Sequence, residues 1–308
     1  MPKIIVYDTG RRMTTKFTLA FAKGIVEHNN RTGGSWEVKH RSIDNYLQDG
    51  IPRDYRAGHD AVATLGILRG TGLLLKEAQQ RGFDYYYMDH AYFNPGYSGK
   101  GWMRVTKNDH ACTSIRETTK DRWNGFHKHH GYATNSWRTN AERGGLILIC
   151  PPTPAICWYY DLDLDWGERI AQHLKDKMPA SEHHRIKVRH KPKEPVVDSK
   201  GNLIELREFA QQGDLKEDLA NAHCVIAWNS MVALEATLAG IPVITGPHSA
   251  CVRVSFDISL LEKHPVPEEF NTEPLNRSAM LYWLANNQWK MKEIEDGTAW
   301  RMLQENYS

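Results

Sequence analysis

Ala222-His223-Cys224-Val225-Ile226-Ala227-Trp228-Asn229-Ser230-Met231-Val232-Ala233-Leu234-Glu235-Ala236-Thr237-Leu238-Ala239-Gly240-Ile241-Pro242-Val243-Ile244-Thr245 decides the fold of this chain. It reads as strand, polar turn, helix and strand, with residues 213–221 as a further helix before it. Cys224 to Trp228 is a short apolar run, the pattern of a strand buried on both faces of a parallel sheet. Asn229-Ser230 supplies an N-cap, and Val232, Leu234, Glu235, Leu238 and Ala239 continue into a helix that Gly240 and Pro242 end. Free backbone N–H groups and the helix dipole converge at such a helix start, beside the carboxyl edge of a strand, and attract anions there. Glu235 lies one to two turns further on, within reach of a sugar hydroxyl.

Outward from this block, length and composition fit a two-part α/β protein. The 308 residues are long for one α/β domain and suit two of about 150. A hydrophobic content of 41% fills two cores. No apolar run reaches the roughly 18 residues of a membrane span, and Met1 to Tyr7 reads as a strand rather than a signal peptide. Five widely spaced cysteines form no C-x-x-C pair, which points away from a disulfide framework or zinc ribbon and towards a reducing cytosol. The net charge of +2 favours no class of partner; its distribution along the chain does.

The first half opens with strand Lys3–Tyr7, a polar glycine turn through Gly10 and Arg11, and a helix through Phe17, Phe21 and Ile25. Trp36–His40 is a second strand, Ala61–Leu68 a third element, and Leu73–Gln80 an amphipathic helix after Gly70-Thr71-Gly72. Phe83–Met88 is an aromatic strand that ends at Asp89-His90. This alternation predicts a parallel sheet flanked by helices. Residues 94–143 lack periodicity and read as loop and irregular helix; from Lys100 to Arg143 nine Lys/Arg stand against four Asp/Glu. A second sheet starts at Gly145–Cys150, followed by a proline-rich turn (151–154), helix Asp165–Met178 and strand Arg185–Arg189. The tail Ser278–Glu305 reads as two helices.

Residues 213–245, with Ser230, Glu235 and the closing Gly240-Ile241-Pro242-Val243-Ile244, resemble the donor-binding half of GT-B glycosyltransferases. That resemblance implies a GT-B-like α/β fold, two Rossmann-type parallel-sheet domains facing a cleft, with C-terminal helices crossing back to the first domain. It divides the chain into an acceptor-binding domain (1–143) with a basic-aromatic insertion (94–143), a nucleotide-sugar-binding domain (144–280), and C-terminal helices (281–308). The implied activity is hexosyl transfer from a nucleotide sugar, UDP-glucose or similar, to a hydroxyl, with no essential cofactor and no metal. Donor-binding candidates are Arg189, Lys191, Asn229, Ser230, Glu235, Thr245, Gly246, Gly10 and Arg11. Arg189 offers a bidentate phosphate grip and Lys191 a point charge.

Asp89 is the candidate base, because side chains at a strand's carboxyl end project into the crevice of an open α/β sheet. The strand ending in Asp89 is similar to that of bacteriophage DNA glucosyltransferases, in which an Asp of the first domain deprotonates the acceptor. His90 competes for the role, since imidazole titrates near neutrality. On this resemblance the acceptor is a 5-hydroxymethylpyrimidine of double-stranded DNA, in the cytoplasm of an infected bacterial host, and the protein is a monomer without a membrane partner. Cations interleaved with flat rings suit phosphates and extruded bases, which selects Arg69, Arg104, Arg116, Lys120, Arg122, Trp123 and Trp137. A glycosyltransferase for a surface glycan or small molecule, and a noncatalytic nucleotide- or nucleic-acid-binding protein on the same frame, are the alternatives. Asp161, Asp163 and Asp165 and the His127–His130 and His183-His184 groups read as helix start and solvated surface rather than metal sites.

Overall fold

The computed structural model describes residues 1–96, 101–210, 212–263 and 273–306. Lys100, counted above in the basic tract, lies outside them.

The chain begins with strands β1 (Lys3–Asp8), β2 (Glu37–Ser42), β3 (Ala61–Leu65), β4 (Asp84–His90) and β5 (Trp102–Lys107). Then come β6 (Leu146–Cys150), β7 (Ile186–Val188), β8 (Lys193–Val197), β9 (Leu203–Glu208), β10 (Ala222–Ala227), β11 (Val243–Thr245), β12 (Phe256–Asp257) and β13 (Gln288–Lys290). The first sheet has the order β13-β5-β4-β3-β1-β2 and the second β12-β11-β10-β6-β7, while β8 and β9 form a separate hairpin. In each large sheet the strand order reverses once, between β1 and β3 in the first and between β6 and β10 in the second. Loops at the carboxyl ends of strands diverge at such reversals and leave a crevice.

Helix α1 (Arg12–Thr32) forms because Phe17, Ala20, Phe21, Gly24 and Ile25 line one face, which it buries against β1 and β3. Gly33, left-handed at φ 71°, ends it with its N–H donated to Asn29 O. Helix α2 (Ile43–Asp49) follows β2, and α3 (Thr71–Gln80) links β3 to β4. In the second half lie α5 (Pro154–Tyr160), α6 (Trp166–Lys177), α7 (Leu215–Ala220), α8 (Val232–Leu238) and α9 (Leu260–Lys263), after α4 (Asp121–His130) of the intervening tract. The chain continues through α10 (Arg277–Asn286), β13, α11 (Met291–Glu295) and α12 (Thr298–Asn306).

Three departures from the sequence reading have physical causes. Tract 94–143 is not merely irregular: it contributes β5 and α4. Strand β5 escapes notice because it carries Arg104 and Thr106 at buried positions, where Asp89 accepts from Arg104 Nη2 and the Asp109 carbonyl from Thr106 Oγ1. Since β5 runs antiparallel to both β4 and β13, the first sheet is mixed, whereas the second is parallel throughout. The tail is also more than two helices: Trp289 enters the first sheet as β13, and α11 and α12 lie on α1. Trp300 packs on Tyr86 (ring centroids 4.9 Å) and Phe21 (5.7 Å). Gly24 is required where α1 meets α11, since a Cβ there would stand 2.0 Å from Ile294 O.

The tract shares its core with the second sheet rather than standing off the first. Phe93, Cys112, Trp123 and Phe126 lie in one cluster with Val225, Leu234, Met280 and Leu284.

Candidate active site

Strand alternation places Tyr85, Tyr87 and Asp89 on one face of β4 and Tyr86 and Met88 on the other. The tyrosines of the first face are buried under α3 and α5, and Asp89, at the strand's end, keeps a side chain 27% exposed. Register sets Asp89 opposite Arg104 of β5, whose Nη2 lies 3.1 Å from Asp89 Oδ2. Tyr87 Oη donates to the same oxygen at 2.7 Å, and His90 N donates to Oδ1 at 2.7 Å. Arg104 is buried, its guanidinium over the rings of Tyr92 (5.1 Å) and Tyr87 (5.8 Å). Burial alone would raise the Asp89 carboxyl, but the charge of Arg104 leads a set of interactions that outweighs it and holds the group below the ordinary carboxylate value. Asp89 is therefore ionised at neutral pH.

His110, in the loop after β5, extends this network. Its Nε2 lies 2.9 Å from Tyr87 Oη and its Nδ1 3.3 Å from Asn229 Nδ2. Because the Tyr87 proton is committed to Asp89, Tyr87 must accept from Nε2–H, which leaves Nδ1 to accept from the Asn229 amide; the tautomer is assigned from this network. Burial first, then the nearby Arg104 charge, pushes His110 down to about 3, so the ring stays neutral. A line of hydrogen bonds thus runs from Asn229, after β10 of the second sheet, through His110 and Tyr87 to Asp89 of the first.

His90 is exposed, and its pKa is lowered by burial of part of the ring, with Arg104 and Lys191 opposing the Asp89 charge. Lys191, after β7, has no hydrogen-bond or ion-pair partner for its ammonium among the described residues. Glu235, on α8, likewise has none for its carboxylate. Although Glu235 is at the surface, neighbouring protein strips part of its water and raises its pKa. Ser230 Oγ accepts from Val232 N at 3.3 Å, and both Asn229 and Ser230 lie at the strand-order reversal between β6 and β10. Gly246 is needed beneath Trp228, whose ring would be 2.6 Å from an added Cβ.

Other sequence candidates are occupied. Arg189 Nη1 donates to Gln212 O (3.0 Å) and Asp218 Oδ2 (2.7 Å), and Nη2 to Gly213 O (2.8 Å). The fork expected to grip phosphate is closed on α7, where Asp218 also holds Lys187. Thr245 is fully buried with its hydroxyl 2.6 Å from Ser255 Oγ. In the tract, Arg104 is spent on Asp89 and Arg122 on Glu293. Trp123 is packed in the core against Phe93 (5.2 Å), so it offers no face to an extruded base. Trp137 is half-buried under the Arg277 guanidinium at 5.4 Å. Arg116 and Lys120 remain exposed. Gly10 (φ 68°) and Arg11 follow β1, and Arg69 (φ 62°) follows β3.

The sequence reading missed Tyr87 and His110, and also a cavity of about 200 Å³ beside them. Tyr85, Asp109, His110, Tyr159, Tyr160 and His248 are among its walls. Tyr160 and His248 stack at 4.4 Å, and Tyr160 Oη is buried without a partner among the described residues. The available signal is Asn108-Asp109-His110, a polar triplet just after β5, but it lies inside a tract without periodicity that reads as loop and irregular helix.

Among the described residues no group of three or more His, Cys, Asp or Glu is placed to hold a metal ion; Asp161 and Asp163 pair with Lys76 and Arg169 instead. All five cysteines are buried as free thiols, and no described helix is long and apolar enough to cross a membrane.

No family model and no curated protein matches the sequence. Among solved structures, the chain is similar to the β-Kdo 2,7-transferase of KpsC from Thermosulfurimonas dismutans, at 11% identity and a TM-score of 0.45, covering 99% of each chain. It is similar to the β-Kdo 2,4-transferase of the same protein at 11% identity and a TM-score of 0.47, over 92% of this chain and 89% of that one. The heptosyltransferase WaaC of E. coli superposes more loosely, at 12% identity and a TM-score of 0.20, over 79% and 88%.

Proposed function

We propose that this chain transfers a sugar from a nucleotide donor to a hydroxyl group. The observation that supports it is the hydrogen-bonded line from Asn229 to Asp89, which ties the strand-order reversal of a fully parallel sheet to a carboxylate at the end of a strand in the other sheet. Donor groups fall to the second sheet: Glu235 accepts from the ribose hydroxyls, and the Lys191 ammonium offsets the negative charge that grows on the diphosphate. Uridine diphosphate glucose, or a close relative, is the donor on this reading.

In the transfer step the acceptor oxygen bonds to the anomeric carbon as the bond from that carbon to the diphosphate oxygen breaks. The acceptor proton passes to Asp89, and the diphosphate leaves with the bonding pair. Arg104 lowers the basicity of Asp89, so proton transfer follows bond formation, when the attacking oxygen has become acidic. Tyr87, held by His110, and Arg104 keep Oδ2 oriented, while Oδ1 accepts one backbone hydrogen bond, from His90 N.

The acceptor we assign is the hydroxymethyl group of a DNA pyrimidine, supported by exposed Arg116, Lys120 and Lys128 along the tract. A glycan or small-molecule hydroxyl is the second reading, favoured by the loss of Arg104, Arg122 and Trp123 to internal packing. Incubation with hydroxymethylated and unmodified DNA, free sugars and a panel of nucleotide sugars, followed by mass analysis, separates the two. A hexose on the modified nucleoside supports the first, a glycosylated free sugar supports the second, and intact donor with every acceptor rejects the enzyme.

A further inference from the structure

The strand-order reversal of the first sheet has charge chemistry that the donor groups and the transfer step above do not use. Strands β1 and β3 are parallel neighbours, with Tyr7 beside Thr64 in register, so their following loops leave the same edge side by side. The chain turns to β2 on one side of β1 and returns to β3 on the other, which opens the crevice between these loops. One loop carries Arg11, exposed, and the other Arg69, half-buried. Neither guanidinium has a hydrogen-bond or ion-pair partner among the described residues.

The acids nearby are already satisfied. Asp8 Oδ1 accepts from Gly10 N (2.6 Å) and Thr15 Oγ1 (2.9 Å), and Oδ2 faces His40 at 3.5 Å. The turn of the β8–β9 hairpin docks here, its Gly201 carbonyl accepting from Arg69 N at 2.8 Å. Its own acid, Asp198, is filled by the N–H groups of Lys200 and Asn202 and by the Asn202 amide. Arg69 is held in the left-handed region by these contacts, a conformation that costs a non-glycine residue free energy. Burial, then repulsion from Arg11, disfavours the Arg69 charge. Two like charges are therefore kept together, at a cost, where the fold places ligands.

We propose that Arg11 and Arg69 form an oxyanion subsite that holds a phosphate group of the acceptor. The assignment to the acceptor rests on the sugar-transfer reading, in which donor groups belong to the second sheet, and it moves Arg11 from the donor set expected from the sequence to the acceptor. A phosphodiester of nucleic acid and a phosphomonoester on a sugar share this chemistry, since both present oxygens that two guanidinium forks can share.

Titration of the full chain with inorganic phosphate, read on the arginine Nε–H resonances, tests the subsite without turnover. Arg11→Gln, and Arg69→Asn, chosen because asparagine tolerates the left-handed backbone, should each weaken phosphate binding about tenfold, and Arg69→Lys should recover part of it. No response in the wild type, or wild-type affinity in both variants, overturns the proposal. Calorimetry with uridine diphosphate should give the same affinity in wild type and variants; an equal loss would move the pair to the donor and overturn the acceptor assignment. A hydroxymethylated dinucleotide and glucose 6-phosphate then identify the source, since the true one loses affinity in the variants and the other does not. Phosphate binding that survives when no donor is consumed leaves the subsite standing and rejects only the transferase.

Discussion

The two large sheets use the same device, a reversal of strand order, and equip it differently. In the second sheet, Lys187 within β7 and Arg189 just after it are neutralised internally, since Asp218 holds both. In the first, Arg11 and Arg69 have no acid, because Asp8 and Asp198 are filled by other donors. Position at a strand's carboxyl edge makes a side chain a candidate. Whether it can meet a ligand is decided by what already occupies its donors, and α7, which supplies Asp218, is the element that removes Arg189 from use.

The largest effect should come from Asp89→Asn. The rate should fall about 10²–10⁴-fold, the usual contribution of a positioned base. Unlike an exposed carboxylate, Asp89 also neutralises buried Arg104, so the variant should lose roughly 3 kcal/mol on urea denaturation. Adding Arg104→Met should restore the midpoint but not the rate. Near-normal turnover in Asp89→Asn together with loss in His90→Ala would pass the base role to the imidazole. Next, Asp218→Asn should cost about 3 kcal/mol, because it leaves two half-buried cations unpaired, with donor affinity intact. If instead Arg189→Ala slows turnover at an unchanged urea midpoint, the contrast between the two edges is broken.

Glu235→Ala should weaken the nucleoside diphosphate by about 1.5–3 kcal/mol, or roughly one to two decades, in calorimetry. His110 gives a pH test. Its folded pKa, about 3, lies below the ordinary 6.5, so between these values the unfolded chain binds the proton and the folded chain does not. Stability contributed by the neutral ring is present above pH 6.5 and is lost as pH falls towards 3; His110→Asn should flatten that part of the urea-midpoint profile. The smallest effect is expected at the surface. Lys120→Ala should lower the slope of log affinity for hydroxymethylated duplex against log salt by about 1 at most, equally for all sequences. A null result would favour the glycan acceptor.

The sequence made the regular part of this architecture legible where apolar pattern and turn residues agree. Cys224 to Thr245 predicts a strand, a turn at Asn229-Ser230, a helix and a strand, and β10, α8 and β11 lie there. Aromatic β4 is legible for the same reason. Strand β5 is not, since Arg104 at its centre looks like surface until Asp89 is known to face it. Strand β13 hides inside an apolar tail whose helical spacing runs past it. At the candidate site, Asp89 can be proposed from a strand end alone. The occupancy of Arg189, the burial of Trp123 and the role of His110 depend on partners more than twenty residues away, and no local pattern encodes them.

The pairing of β13 with β5 has a consequence for how this protein emerges from the ribosome. Trp289, Ile294, Trp300 and Leu303 belong to the same core as Ile4, Phe17 and Met103. Strand β5 must therefore wait, with an open edge, while the whole second sheet is translated, about ten seconds or more at roughly 5–20 residues per second. During that interval the face of α1 around Gly24 and the rim of β5 are bare, a template for pairing with another nascent chain. The clasp that finishes the first sheet makes its folding post-translational in part, and a chaperone that shields β5 would act on this protein before any ligand does.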